Sequence, residues 1–169
     1  MENLNPAQYR IIEDNVQIGE NTKVRNFTHI RSGTKIGKNC NIGWYVHIGR
    51  DVIIWNNVKI QNSVNIFKWV EIEDDVFIWP AVTFTNDLYP RAFAWGSEKI
   101  MKTLVKKGAS IGANATIKPW IVIGEYSLIG AWTMVVEDVP PYAIVVGNPW
   151  KIIGWVDKNW NKVDKPPIE

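Results

Sequence analysis

Aliphatic residues recur every six positions through the first half of the chain, at Ile12, Ile18, Val24, Ile30, Ile36, Ile42, Ile48, Ile54, Ile60, Ile66, Ile72 and Ile78. Four residues after each stands a second small or β-branched side chain, as in Val16, Thr22, Thr28, Thr34, Cys40, Val46 and Val52. The register is lost after Phe84 and resumes in a shifted phase at Ile111, Ile117, Ile123, Ile129 and Val135. Ala109, Ala115, Ile121, Ser127, Thr133 and Val139 then hold the second position. A period of six is neither the 3.6 of an amphipathic helix nor a sustained alternation of two, so each hexad predicts a short strand followed by a turn. Gly, Asn and Asp between the strands suit corners where φ is positive.

Such a chain is an all-β solenoid. One hexad cannot bury its apolar side alone, whereas stacked coils bury a continuous column, with caps at the two ends. The expected organisation is a single domain over 1–169, with an N-terminal cap at 1–10 and a first hexad block at 11–84. An insertion loop at 85–108, a second block at 109–139 and a C-terminal cap at 140–169 complete it.

Composition narrows the chemistry. Nineteen Lys and Arg against 17 Asp and Glu leave a net charge of +2, so no dominant field points to nucleic acid or an anionic membrane. No run of 18 apolar residues and no basic n-region with an apolar stretch is present, which disfavours membrane spanning and secretion. A single cysteine, Cys40, precludes an internal disulfide and fits a reducing compartment, so the expected location is cytoplasmic. Its inward position reads as packing. Ten tryptophans are unusual for this length.

The I-G-x-x-V-x unit resembles the hexapeptide-repeat acyltransferases. That resemblance implies a left-handed parallel β-helix with three hexads, or 18 residues, per triangular coil. It also implies a homotrimer with active sites between subunits. Val145-Val146-Gly147-Asn148-Pro149-Trp150-Lys151 is similar to the family's closing G-x-P-A-K motif, with Trp150 where alanine is usual. Three runs resemble the branch that N-acetylates nucleotide-linked 3-amino sugars. They are Glu73-Asp74-Asp75-Val76-Phe77-Ile78, Phe84-Thr85-Asn86-Asp87 with Pro90-Arg91, and Lys102 through Gly112. The implied reaction moves acetyl from acetyl-CoA, with no metal, to the 3-amino group of a UDP-2-acetamido-3-amino-2,3-dideoxyglucuronate. The implied setting is lipopolysaccharide O-antigen biosynthesis. A dTDP-3-amino-dideoxyhexose acceptor and a non-catalytic assembly role are the alternatives. A γ-class carbonic anhydrase is disfavoured, because its zinc site takes three histidines and the chain has two.

With 18 residues per coil, one outward ladder reads Ile11, His29, His47, Asn65, Thr83 and its neighbour reads Glu13, Arg31, Gly49, Phe67, Thr85. The insertion leaves from the top of both. The resemblance gives Asn86 the role of orienting the acceptor amine, whereas the residue alone also reads as a loop-starting Asn that bonds its own backbone. For Asp87 two readings stand, a proton acceptor and a turn residue. His29 and His47 are candidate bases or phosphate donors, or solvated side chains. Arg31 and Arg91 present forks that fit a sugar carboxylate or a pyrophosphate, beside a plain surface role. Asn65 lies in the same strip, and Phe67 and Lys68 offer a stacking face and a phosphate partner. Gly49 is expected to leave a gap in this floor, and Trp69 to stack beneath Asp87.

Lys102, Lys106, Lys107 and Lys151 form a local cationic set suited to coenzyme A phosphates. Gly112-Ala113 and Gly130-Ala131 would let a pantetheine arm approach the backbone. No Ser/His/Asp or Cys/His set stands out, so orientation and a backbone oxyanion donor are expected to carry the acceleration. Trp69, Trp120 and Trp132 occupy corner slots where a bulky residue is costly if φ is positive.

Overall fold

A computed structural model describes residues 9–93 and 102–167. Most of the expected N-terminal cap and the middle of the insertion lie outside the described residues. No α-helix is present among those described. Each hexad contributes a strand of two or three residues, and the strands stack into three parallel sheets. Face A runs Ile11–Ile12, His29–Ile30, His47–Ile48, Asn65–Ile66, Thr83–Phe84, Thr116–Ile117 and Met134–Val135. Face B runs Gln17–Ile18, Lys35–Ile36, Ile53–Ile54, Val70–Ile72, Thr103–Val105 and Val122–Ile123. Face C begins at Lys23–Val24 and ends in a C-terminal antiparallel addition, Lys151–Val156 and Lys162–Val163, paired onto Ala143–Val146. This is the parallel β-solenoid that the hexads predict, the left-handed β-helix that the resemblance implies.

The 18-residue offset is direct: Ile11 lies opposite His29, His29 opposite His47, His47 opposite Asn65 and Asn65 opposite Thr83. The ladder rejoins after the interruption with Val70 opposite Thr103. That offset of 33 leaves 15 residues beyond a normal coil. The solenoid therefore resumes at Thr103–Val105, one hexad before Ile111, and Lys102 to Gly108 belong to a coil rather than to a loop. Val105 takes the inward aliphatic slot and is fully buried; the hydrophobic period missed it because the preceding phase is broken.

Inside, the Ile and Val column is closed to solvent from Ile30 to Val145, with Phe84 its largest fully buried side chain. Threonines in the second inward slot satisfy their hydroxyls on the next coil: Thr28 Oγ1 donates to Gly43 O and Thr34 Oγ1 to Gly49 O, both at 2.8 Å. Cys40 occupies the same slot, buried, with Sγ 3.0 Å from Trp55 O. Burial raises its pKa, as expected for an inert packed thiol.

Most corners turn through left-handed backbone, including Trp69 at φ 67°, Trp120 at 69° and Trp132 at 61°. Bonds between coils fix these corners whatever side chain they carry, as with Trp132 N donating to Ala113 O at 2.9 Å. Some aromatic corners recover part of the conformational cost by stacking at the 18-residue spacing. Phe27 and Tyr45 lie 4.9 Å apart between ring centroids, and Tyr9 lies 5.3 Å from Phe27.

Candidate functional site

The solenoid has three edges. The edge between faces A and B gathers most of the acceptor-side candidates. His29, His47 and Asn65 stand on face A beside it, Arg31, Phe67 and Lys68 turn the corner, and the insertion carrying Asn86, Asp87 and Arg91 leaves from Thr83–Phe84. Lys102 re-enters at the same edge. The His29 and His47 rings meet edge to face at 5.5 Å, and His47 lies 5.7 Å from Phe67. There is no gap at Gly49: a Cβ there would sit 2.8 Å from Lys68 N and 2.9 Å from Phe67 C. The next coil fills that space, and the glycine serves close backbone approach.

Asn86 is half-buried and forms no side-chain hydrogen bond among the described residues. Asp87 Oδ1 accepts the Tyr89 N–H at 2.8 Å, the geometry of an Asx turn. Arg91 donates from Nη1 to Pro90 O at 2.8 Å and is exposed. Trp69 does not lie under Asp87; its carbonyl accepts Thr103 N at 3.1 Å, because the insertion bypasses one coil position. A groove of about 270 Å³ at this edge is lined by Asp51, Ile53, Trp69 and Lys102. Lys68 reaches across it, with Nζ 3.4 Å from Asp51 Oδ2 and 4.4 Å from the centre of the Trp69 ring.

Below the histidines, the Glu13 carboxylate is a hub that residue-by-residue reading passed over. Oε1 accepts from His29 Nε2 at 2.8 Å and from Arg31 Nε at 3.2 Å, and Oε2 accepts from Ser32 N at 3.0 Å. These bonds, that from Ser32 foremost, lower its pKa to about 2. The His47 side chain makes no hydrogen bond among the described residues. Burial lowers its pKa, and the neighbouring His29 and Arg31 charges lower it further against an opposing pull from Glu13. The available signal for Glu13 was its place directly under Arg31 in the flank ladder.

The cofactor candidates do not gather on one protomer. Lys106 and Lys107 lie at the edge between faces B and C. Gly112, Ala113, Gly130 and Ala131 lie at the edge between C and A, and Lys151 sits on the C-terminal addition opposite Val146. Three of the four lysines are paired with carboxylates: Lys102 with Glu71, Lys106 with Glu73 at 3.0 Å and Lys107 with Asp75 at 3.7 Å. Burial pushes the Glu71 carboxyl up, but hydrogen bonds from Lys102 and Trp55 outweigh it and leave the net shift downward. These pairs bridge the insertion, where the offset is no longer 18, so the register could not reveal them. A larger groove of about 520 Å³ at the edge between B and C is lined by Glu73, Lys106, Val122, Gly124, Glu125, Asp138, Val139, Pro140 and Pro141.

The family described as bacterial transferase hexapeptide (six repeats) matches residues 12–43. Over 59 residues the chain is 51% identical to a dTDP-3-amino-3,6-dideoxy-alpha-D-galactopyranose 3-N-acetyltransferase of Aneurinibacillus thermoaerophilus, covering 35% of this chain and 31% of that protein. Over 66 residues it is 38% identical to the bifunctional protein GlmU of Thermotoga sp. (strain RQ2), covering 38% of this chain and 15% of the relative. The aligned stretches thus span less than a third of these curated relatives. Among solved structures, a mutant of AntD, an N-acyltransferase from Bacillus cereus in complex with dTDP and coenzyme A, superposes with a TM-score of 0.71 at 25% identity. That match covers 88% of this chain and 83% of AntD. The chain is built of hexapeptide repeats, similar over about a third of its length to a nucleotide-linked amino-sugar N-acetyltransferase and in fold to an N-acyltransferase.

Proposed function

We propose that the chain is an acetyl-CoA-dependent N-acetyltransferase acting on the 3-amino group of a nucleotide-linked amino sugar. UDP-2-acetamido-3-amino-2,3-dideoxyglucuronate is the acceptor implied by the sequence motifs. A dTDP-3-amino-dideoxyhexose is the second reading, favoured by what the Aneurinibacillus relative acts on. The observation that carries the proposal is the position of Asn86, whose amide has no side-chain partner among the described residues, at the root of the insertion, above a strip of two imidazoles and an aromatic ring.

In this reading the neutral amine is oriented by the Asn86 side-chain oxygen and attacks the thioester carbonyl. The C–S bond breaks, the thiolate leaves, and the proton lost by nitrogen accompanies it as thiol or passes to water. A backbone N–H serves the developing oxyanion. Coils are stacked about 4.8 Å apart, so Thr85 lies about 10 Å above the His47 row. One amine cannot touch both levels, and the histidines face the rest of the sugar nucleotide. All the cofactor candidates except Lys102 lie on other edges than the acceptor candidates, as a site shared by two copies requires. A cyclic assembly apposes different patches of neighbouring subunits, and a homotrimer fits.

Asn86→Ala tests the site. It is expected to lower kcat/KM by roughly ten- to a thousandfold with thermal unfolding unmoved, since Asn86 lies outside the buried column. Wild-type kinetics in this variant would remove the active site from the insertion.

A further inference from the structure

The Glu13 hub lies outside the residues so far given a role, and it constrains two that have one. An ionised carboxylate only accepts hydrogen bonds, so in neutral His29 the nitrogen facing Glu13, Nε2, carries the proton. Nδ1 is left as an acceptor, and it meets no partner among the described residues. Arg31 gives Nε to the same oxygen, and its two terminal amino groups have no hydrogen-bond partner among the described residues. The carboxylate is held in turn by the Ser32 backbone N–H, so the arrangement is anchored to the coil rather than to a flexible side chain.

We propose that Glu13 is a positioning residue for ligand recognition, fixing the His29 tautomer and the Arg31 fork so that together they take a sugar hydroxyl and a neighbouring anionic oxygen. The inference rests on the nucleotide-sugar reading above. A hydroxyl donates to His29 Nδ1, and a phosphate or carboxylate oxygen accepts from the Arg31 fork. His29 Nε2 and Arg31 Nε converge on one Glu13 oxygen, at 2.8 and 3.2 Å, so the two recognition groups serve adjacent parts of one ligand. Without the carboxylate, His29 is free to protonate Nδ1 instead, and a donor would then confront the hydroxyl's hydrogen.

Glu13→Gln keeps the size and the bond from Ser32 but lets the amide donate to His29. Since the chain has two histidines, imidazole ¹⁵N spectra near neutral pH show two side chains, assigned with His47→Gln. The expected wild-type spectrum has His29 protonated at Nε2, with that preference lost in Glu13→Gln. Calorimetry with dTDP-glucose, which carries no acceptor amine, is expected to show roughly tenfold weaker binding by Glu13→Gln. His29→Gln should lose a similar factor, and the double variant little more, as for residues acting through one another. In turnover, KM for the amino sugar should rise with kcat within about threefold and the KM for acetyl-CoA unchanged. A His29 protonated at Nδ1 in the wild type, or dTDP-glucose affinity equal in wild type and Glu13→Gln, overturns the proposal. Absence of acetyl transfer with an intact Glu13-dependent affinity would overturn the acetyltransferase reading and leave this inference standing.

Discussion

Three donors converge on Glu13 because His29, Arg31 and Ser32 all sit one coil above it, the spacing that makes the face-A ladders readable in the sequence. The histidine column was legible for the same reason: residues 18 apart on one face must be neighbours. What was not legible is which side chains bond across a rung, since that depends on rotamers and on competing partners. Arg31 and Lys68 read from the sequence as candidate partners of anionic ligand groups and are each paired within the chain, with Glu13 and Asp51. His47 carries a pH prediction. Its folded pKa lies below the ordinary 6.5, so the unfolded chain binds a proton more readily and stability falls as pH drops from 6.5 toward the lowered value. Between about pH 7.5 and 5.5 the wild-type Tm should decline, and His47→Gln should decline less. An identical decline in both would contradict the assigned environment of His47.

At the scale of the element, the hexad fixes strand, turn and inward column together, and departures from it are informative. Strand positions followed directly from the Ile period, whereas Thr103–Val105 escaped it because the insertion resets the phase and Val105 stands where isoleucine had been regular. Corner tryptophans are tolerated because hydrogen bonds between coils hold the backbone whatever the side chain. The flank glycines are less forgiving. A Cβ on Gly112 would lie 2.5 Å from Ala131 N and 2.7 Å from Gly130 C, backbone atoms that cannot rotate away. Gly112→Ala should therefore cost about 1–3 kcal/mol, as other overpacked sites do, read as a lower denaturation midpoint in chemical unfolding. An unchanged midpoint would mean that the coils can spread at that edge.

Across the whole molecule, the near-neutral charge and the paired lysines leave recognition to local geometry rather than to a long-range field. Of the cofactor candidates only Lys102 lies at the acceptor edge, so the proposed reaction needs copies that meet edge to edge, an arrangement that intramolecular periodicity cannot reveal. The central claim is acetyl transfer to a nucleotide-linked 3-amino sugar, and thiol release from acetyl-CoA in the presence of a panel of UDP- and dTDP-linked amino sugars measures it directly. The account predicts release that depends on a 3-amino sugar and is absent with the corresponding 3-hydroxy sugars. No release with any 3-amino sugar in the panel would contradict it.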